Sequence, residues 1–377
     1  MIRRRFALVL ALILALSAAA LPARAEEELD IEELIETIEP EETPGVYDSD
    51  GSTLITVTCT GDFTIGGDNY HHKDIFSKEL KKHGKDINFT MANVRDIFLQ
   101  DDLTIVNFEG TLTDTKHVPD NKKGNSFLFN ISPEYVSVLP DNGIEAVSLE
   151  NNHVMDHGEE GYDETKETLR QAGVVYSNSE EIGVFDVDGI QIAMLSYLCI
   201  DRYDKPVGQY ANLYEKVEAD ISAVDKLYPI VIVSFHWGNE LDYYPTERQI
   251  KMGRLAVDSG ADLVIGHHSH RMNPIEEYKG VYICYSLGNF CFAGHNRPKD
   301  MNSFIFQTRF RVSKNGDTIT NTGFRIIPIR ITSIKDRNDF TPTPVTDERK
   351  QTDIINVLKD NGKKLEYAVS EYPLEWR

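Results

Sequence analysis

The chain has 377 residues, and its 61 Asp and Glu residues outnumber 39 Lys and Arg residues, which gives a formal net charge of −22 at pH 7. Duplex-binding modules show a basic face and a high pI, so this composition excludes nucleic acid as the main partner. The length fits roughly one to two domains, and 41% hydrophobic residues are enough to bury a large core.

The N-terminal 25 residues carry the three parts of a secretory signal. Arginines at positions 3–5 precede an apolar run over residues 6–21, and Ala23 and Ala25 supply the small residues of a cleavage site. This run is shorter than the roughly 20 residues that span a bilayer comfortably. We therefore expect a signal peptide, residues 1–25, that is cleaved after Ala25; the alternative is an uncleaved N-terminal anchor. Both predict an extracytoplasmic protein.

Composition divides the rest of the chain into three segments. Residues 26–50 contain twelve acidic and no basic residues, which indicates a solvated acidic linker. Residues 51–335 are predicted to form the folded domain. Residues 336–377 contain a Pro/Thr stretch and a helical stretch over residues 347–360, and we expect a C-terminal appendage there.

Short β-rich runs alternate with helical stretches inside the predicted domain. The runs cover residues 54–59, 103–107, 146–149, 190–196, 230–235, 263–265 and 281–285. Helical stretches such as 163–172 and 246–259 lie between them. This alternation predicts an α/β fold with a layered sheet. Two later runs, 304–312 and 318–334, flank Asn315-Gly316, which is a strong signal for a β-hairpin.

The four cysteines all lie in or beside apolar runs, and none belongs to a CxxC pair. They are Cys59, Cys199, Cys284 and Cys291. We interpret them as buried thiols that pack as small hydrophobic groups. The three possible disulfide pairings stay open, because sequence alone cannot rank them.

Metal-ligand side chains follow five of the predicted strands or the loops after them. The candidates are Asp62, Glu109, Asn152, His236, His268 and His270. Because strand ends of an α/β sheet meet at one edge, these side chains can share a pocket although they are far apart in sequence. Carboxylate, amide and imidazole together suit a borderline divalent ion. The sequence therefore predicts one or two ions of Mn, Zn or Fe.

The motifs around these residues resemble a known family. TGDFTIGGD, NFEGTLT, NNHVMDHG, FHWGNE, GHHSH and YSLGNF occur in this order. Together they are similar to the CapA family, the poly-γ-glutamate capsule synthesis proteins, whose fold is similar to that of the calcineurin-like metallophosphoesterases. The resemblance covers roughly residues 54–334. It implies an α/β fold of the four-layer α-β-β-α metallophosphatase-like kind.

The resemblance also implies a role for each candidate ligand. Asp62 matches the ligand on the first strand, Glu109 the acid that bridges two ions, and Asn152 the amide ligand. His236 and His268 resemble ligands of the second ion, whereas His270 resembles a ligand of the first.

Two further residues carry implied catalytic roles. His153 resembles the histidine that hydrogen-bonds a departing or non-bridging oxygen. Asp156 is the nearest acid that can hold the tautomer of His153.

Two positions depart from the family pattern. Phosphoesterases of this kind have histidine where the chain has Thr64, and aspartate where it has Glu109. These departures predict a first metal site that is weak, remodelled or absent.

Four more residues are secondary candidates. Arg271 can supply an anion contact beside the metals, and His267 is interpreted as a supporting or structural residue. Glu240 either supports His236 by a hydrogen bond or is an exposed loop acid. Asn289 either reaches the pocket or forms part of a tight turn.

The functional hypothesis is a metal-dependent hydrolase-like enzyme that uses metal-bound hydroxide. It would act in the synthesis, release or attachment of an anionic surface polymer of the poly-γ-glutamate type. The alternative is a non-catalytic accessory that binds polymer or partner subunits. The expected partners are an anionic surface polymer or its precursor and a membrane-bound polymer synthesis complex, with no nucleic acid.

Overall fold

The computed structural model describes residues 12–13, 51–68, 75–123, 127–200, 213–313 and 318–376. Most of the predicted signal peptide, the whole of the predicted acidic linker and the Asn-Gly turn of the predicted hairpin lie outside these ranges. Within the described residues, no helix is long and apolar enough to cross a membrane.

The secondary structure alternates between strands and helices, numbered here in chain order. The strands are β1 Leu12–Ile13, β2 Thr53–Thr64, β3 Gly67–Asp68, β4 Leu103–Phe108, β5 Thr111–Leu112, β6 Phe129–Ile131, β7 Ala146–Ser148, β8 Val175–Ser177, β9 Glu181–Val187, β10 Ile190–Ile200, β11 Ile230–Gly238, β12 Leu263–His267, β13 Ile275–Tyr278, β14 Val281–Cys284, β15 Asn289–Phe292, β16 Asn302–Val312, β17 Ile319–Arg330 and β18 Thr343–Pro344. The α-helices are α1 Ile75–Lys82, α2 Arg95–Phe98, α3 Gly158–Gln171, α4 Leu213–Val224, α5 Glu247–Asp258 and α6 Glu348–Gly362. Short 3₁₀ helices are Ile87–Met91, Asp120–Lys122, Pro133–Val138 and Pro140–Asn142.

Two large mixed sheets and one small sheet organise these strands. The first large sheet has the order β1-β9-β10-β11-β12-β14-β13, and the second has the order β18-β17-β16-β2-β4-β7-β8, with β15 also paired to β2. Strands β10, β11, β12 and β14 run parallel, as do β2, β4, β7 and β8. The small sheet has the order β3-β6-β5.

The two large sheets pack face to face, and helices cover their outer faces. On β11, Ile230 and Ile232 point into the core between the sheets, whereas Val231 and Val233 pack in the cluster that includes helices α4 and α5. Alternate residues of a strand point to opposite faces, so both faces of β11 are buried. Leu169 of α3 belongs to the cluster on the outer side of the second sheet. The predicted α-β-β-α sandwich is confirmed.

The secondary-structure predictions agree with the structure in the main elements. All seven β-rich runs are strands, and the helical stretches correspond to α3, α5 and α6. The runs of the predicted hairpin pair antiparallel as β16 and β17. Several shorter strands and the seven-residue strand β9 are not among the predicted runs. The two-residue turn from β9 to β10, Asp188-Gly189, has positive φ at both positions, and Asp-Gly is a hairpin signal that the sequence does contain.

The C-terminal segment requires a correction, because it is not peripheral to the core. Ile354 and Leu358 of α6 are buried in the cluster between the two sheets, and so is Tyr372. The Ile275 backbone N–H donates to the Tyr372 hydroxyl at 3.2 Å. The Pro/Thr stretch and the helical stretch over residues 347–360 favour an appendage on sequence alone. The apolar face of that helix instead completes the main core.

The cysteine prediction is confirmed. All four cysteines are buried, and no disulfide joins them. Burial raises the pKa of the Cys59, Cys284 and Cys291 thiols well above the ordinary value, so these thiols are inert packing groups.

Candidate metal centre

The predicted ligands meet where the strands of both large sheets end. Asp62 lies near the end of β2, and Glu109 directly follows β4 of the same sheet. From the other sheet, His236 lies near the end of β11, and His268 directly follows β12. The side chains of Asp62, Glu109, His236 and His268 are almost completely buried. Parallel strand direction thus brings residues more than 200 positions apart to one pocket.

The first half of the cluster contains two carboxylates and one imidazole. Ligand atoms of Asp62, Glu109 and His270 lie within 4.8 Å of one another. The shortest of these contacts joins His270 Nδ1 and Asp62 Oδ2, at 3.0 Å. This is the spacing expected for side chains that bind a common ion.

The second half of the cluster converges on one ring nitrogen. His236 Nε2 lies 2.8 Å from Asn152 Oδ1, 3.0 Å from His268 Nδ1 and 3.8 Å from Glu109 Oε1. Two ligands at about 2.1 Å from a tetrahedral ion are about 3.4 Å apart, so these distances bracket the expected separation. Glu109 contacts both halves, as a bridging acid must.

Two buried carboxylate oxygens of the cluster have no hydrogen-bond partner among the described residues. They are Asp62 Oδ2 and Glu109 Oε1. An unsatisfied buried carboxylate oxygen is costly, and a cation between them would remove that cost. The donor set of carboxylate, amide and imidazole therefore fits a divalent ion such as Mn, Zn or Fe.

In the metal-free protein, the pKa shifts of the site residues also indicate that the cluster favours a positive charge. Burial, together with repulsion from Asp62, raises the pKa of Glu109. Burial would lower the pKa of His270, but attraction to Glu109 and Asp62 raises it overall. Burial and the neighbouring His268 lower the pKa of His236, so its ring is neutral and able to bind metal. In the metal-free protein, Asp62 and Glu109 therefore favour the charged form of His270.

The implied catalytic pair is also present. His153 Nδ1 lies 2.7 Å from Asp156 Oδ2, while His153 Nε2 lies 3.9 Å from Glu109 Oε1. The Phe129 backbone N–H donates to Asp156 Oδ2 at 2.9 Å. Because Asp156 accepts at Nδ1, the Nε2 atom of His153 is directed toward the metal cluster.

Lys122 is a site residue that sequence reasoning missed. Its ammonium donates to Asp156 Oδ1 at 2.7 Å and to the Asn152 carbonyl oxygen at 2.9 Å. Burial would raise the pKa of Asp156, but His153 and Lys122 lower it overall. Lys122 lies in a polar stretch without a recognisable motif, so no sequence signal marked it.

Asn107 and Asn151 were also missed, although both lie inside motifs that were recognised. Asn107 Nδ2 donates to Asp62 Oδ1 at 2.9 Å and lies 3.3 Å from His236 Nδ1. Asn151 donates to the Phe108 carbonyl oxygen at 2.8 Å. Both amides are buried. A polar residue at the end of an apolar strand was the available signal.

The secondary candidates have different positions. Asn289 reaches the pocket, with its Oδ1 2.9 Å from His270 Nδ1. Glu240 is exposed. The ring nitrogens of His236 instead lie within hydrogen-bond distance of Asn107, Asn152 and His268. Arg271 donates to the His270 carbonyl oxygen at 2.7 Å, and its guanidinium lies over the Tyr243 ring.

His267 is fully buried behind the cluster. Its Nδ1 is 3.6 Å from Asp62 Oδ1, and neither ring nitrogen has a hydrogen-bond partner among the described residues. Burial lowers its pKa to about 4, with Asp62 acting in the opposite direction. The neutral ring packs behind Asp62 without a hydrogen bond to it, and the alternatives of a supporting or a structural residue stay open.

Thr64, the departure from the family pattern, contacts Glu109. Its hydroxyl donates to Glu109 Oε2 at 3.2 Å, which leaves Oε1 for the cluster. The loop that carries the last two ligands is also constrained, since His268 and His270 have φ of 90° and 53°. Positive φ is uncommon for residues other than glycine and concentrates at functional sites.

The four-layer α-β-β-α sandwich thus gathers the candidate metal ligands where strands of its two sheets end. Residues 56–294 match the family model described as bacterial capsule synthesis protein PGA_cap. The chain belongs to this family, which confirms the resemblance to CapA.

Known relatives extend over most of the chain. The chain is 34% identical to the PGA biosynthesis protein CapA of Bacillus subtilis, over 85% of this chain and 82% of that protein. It is 27% identical to the capsule biosynthesis protein CapA of Bacillus anthracis, over 85% of this chain and 77% of that protein. Among solved structures, a novel phosphatase from Mycoplasma pneumoniae aligns with a TM-score of 0.45 and 15% identity, covering 74% of this chain and 94% of that chain.

Proposed function

We propose that the protein is a divalent-metal-dependent, hydrolase-like enzyme in the synthesis, release or attachment of an anionic surface polymer of the poly-γ-glutamate type. The observation that carries the proposal is that two buried carboxylate oxygens, Asp62 Oδ2 and Glu109 Oε1, have no hydrogen-bond partner among the described residues. Imidazole and amide groups that can bind a metal ion surround these oxygens. A purely structural pocket has no reason to bury two carboxylates in this way.

The first half of the cluster would hold an ion with Asp62, Glu109 and His270. The second half would hold an ion with Asn152, His236, His268 and the shared Glu109. Divalent ions bound there would act as Lewis acids toward an anionic oxygen of the substrate. They are also a local positive charge that an acidic protein needs in order to bind an acidic polymer.

The protein's own residues would orient a proton donor beside this cluster. Asp156 accepts a hydrogen bond from Nδ1–H of His153, and in the imidazolium form of the ring Nε2–H would give its proton to a leaving oxygen or nitrogen, which leaves the neutral ring. Lys122 balances the charge of Asp156 and ties it to the backbone of Asn152. The donor and the ligand loop therefore keep a fixed relative position.

Substrate and location are part of the proposal. The names of the two Bacillus relatives, which refer to PGA and capsule biosynthesis, support an anionic polymer or its precursor as the substrate. The signal-like N-terminal sequence supports an extracytoplasmic protein. A membrane-bound polymer synthesis complex is the proposed partner.

Metal analysis tests the proposal directly. The purified protein should contain near-stoichiometric Mn, Zn or Fe, and His268→Ala combined with His270→Ala should remove it. His83→Ala is a matched control, because His83 stacks on Phe89 and is not part of the cluster. Absence of a divalent ion from the wild type at saturating supply, or unchanged metal content in the double variant, would contradict metal dependence.

A substrate panel tests the chemistry. Turnover of a phosphodiester, a phosphomonoester or a γ-glutamyl peptide should be abolished by Asp62→Ala. The bond that is cleaved would identify the reaction class.

The second candidate is a non-catalytic accessory that binds the polymer or partner subunits. Thr64 favours it, because phosphoesterases of this kind have histidine at that position. A metal-loaded protein that binds poly-γ-glutamate but turns over none of the panel would support the accessory function. Turnover that depends on Asp62 would rule it out.

A further inference from the structure

The YSLGNF segment, residues 285–290, lies directly against the first metal-ligand strand. Asn289 is the register partner of Asp62 in the pairing of β15 with β2. The Asp62 backbone N–H donates to the Gly288 carbonyl oxygen at 2.9 Å. A Cβ at Gly61 would lie 1.9 Å from that same oxygen. Only glycine at position 61 permits this approach, so the position of Asn289 beside Asp62 is built into the backbone.

Two further hydrogen bonds fix the turn before Asn289. The Gly288 N–H donates to Ser286 Oγ at 3.2 Å, and the Ser303 hydroxyl donates to the Leu287 carbonyl oxygen at 2.7 Å. Asn289 itself is 3% exposed. A buried amide on an anchored turn has little freedom to point elsewhere.

The amide oxygen of Asn289 lies at the first half of the metal cluster. Asn289 Oδ1 is 2.9 Å from His270 Nδ1, and the same nitrogen is 3.0 Å from Asp62 Oδ2. One ring nitrogen carries at most one hydrogen, and Asp62 Oδ2 has no hydrogen-bond partner among the described residues. Asn289 Oδ1 and Asp62 Oδ2 thus both lie about 3 Å from the nitrogen that would bind the first ion, close to the separation of two ligands of one ion.

Thr64 leaves this half of the cluster one ligand short. Its hydroxyl donates to Glu109 Oε2 and so holds the bridging acid. We propose that Asn289 Oδ1 is the additional ligand of the first ion. This inference rests on the metal binding in the proposed function and specifies the make-up of that same site.

The consequence is a difference in donor chemistry between the two halves. The first half has two carboxylates, an amide oxygen and one imidazole, whereas the second has two imidazoles, an amide oxygen and the shared carboxylate. Oxygen donors favour Mn²⁺ and imidazole donors favour Zn²⁺ or Fe²⁺. The first half therefore prefers Mn²⁺ more strongly than the second half does.

A crystal structure of the wild-type protein loaded with Mn²⁺ is the first test, with the ions located by anomalous scattering. Asn289 Oδ1 should lie about 2.2 Å from the first ion, the length of a metal–oxygen ligand bond. An Oδ1 atom more than about 3 Å from every ion would show that Asn289 only hydrogen-bonds His270, and would overturn the inference. This measurement needs no variant to fold.

Titration of metal-free protein with Mn²⁺, followed by electron paramagnetic resonance, is the second test. Asn289→Leu should weaken the first site by more than about tenfold, since even outer partners of ligands contribute 10–100-fold. Asn289→Asp should retain both sites. His236→Ala, the matched variant for the other half, should weaken the second site instead.

The outcomes separate this inference from the proposed function. A wild-type protein that binds no ion would refute the proposed function itself. A wild-type protein that binds two ions, with unchanged Mn²⁺ affinity in Asn289→Leu, would refute only the role of Asn289.

Discussion

Replacement of the bridging acid, Glu109→Gln, should have opposite effects on the stability of the metal-free and metal-loaded protein. Glu109 is 1% exposed and lies beside a second carboxylate, Asp62. Burial and repulsion from Asp62 raise its pKa from the ordinary 4.5 to about 7. Glutamine keeps the volume and an oxygen that can accept the Thr64 hydroxyl, but it never ionises.

The sign and size of the effect follow from this pKa. Between pH 4.5 and about 7, the carboxyl of Glu109 keeps its proton in the native protein and loses it in the unfolded chain. The free energy of unfolding of the metal-free protein therefore falls as pH rises through this range. A pKa raised from 4.5 to about 7 corresponds to a loss of about 3 kcal/mol. Glu109→Gln should recover up to about this amount at pH 8, and almost none of it at pH 4.

Urea unfolding of EDTA-treated protein at pH 4 and pH 8 measures this difference, and repetition with Mn²⁺ measures the metal effect. Bound metal stabilises the wild type by RT ln(1 + [M]/Kd) for each site, where [M] is the free metal concentration. Glu109→Gln should lose most of that gain, because the shared ligand is gone.

Glu150→Gln is the matched control. Glu150 is also buried, burial raises its pKa to about 7, and it accepts the Ser179 backbone N–H at 2.8 Å instead of facing the cluster. It should show the same rise in metal-free stability at pH 8 with an unchanged gain from Mn²⁺. If metal-free Glu109→Gln is less stable than the wild type at pH 8, the electrostatic reasoning is wrong.

Three further predictions concern other parts of the fold. Lys122→Met should lower kcat about 10–100-fold, with partial recovery in Lys122→Arg; equal loss in both variants would contradict a charge effect on Asp156. Gly61→Ala should lower the free energy of unfolding by at least about 1–3 kcal/mol and weaken Mn²⁺ binding, because the added methyl group would clash with the Gly288 carbonyl oxygen. Unchanged melting temperature and metal affinity would refute the close packing of Gly61 on Gly288. Leu358→Ala should cost about 2–5 kcal/mol in urea unfolding, whereas a peripheral helix would lose much less.

Much of the candidate site was predictable because its polar residues stand at the ends of strands that are otherwise apolar. His236, His268 and Asp62 end apolar strands that otherwise contain residues suited to a core. Parallel strands deliver such residues to one edge, so their convergence follows from the fold class. The structure brings all six predicted ligands and both predicted catalytic residues into one cluster.

The missed residues lacked such a signal. Lys122 enters the site from a short 3₁₀ helix between strands, where a lysine in a polar stretch looks solvated. Asn107 and Asn151 were missed because Glu109 and Asn152 are the stronger candidates in the same motifs. Their roles depend on hydrogen bonds to residues far away in sequence, which no local pattern encodes.

The sequence alone determined the alternation of the main strands and helices, the α/β class and the set of candidate ligands, because hydrophobic period and residue chemistry are local properties. The tertiary structure alone decided which residues share a pocket, which oxygens remain without donors and where the last segment packs. Helix α6 shows the difference clearly. Its apolar stripe, with Ile354 and Leu358, could be read from the sequence, but its place in the core between the sheets depends on the surfaces that the other elements leave uncovered. The same holds for Asn289, whose position beside Asp62 is fixed by the contact between two glycine backbones.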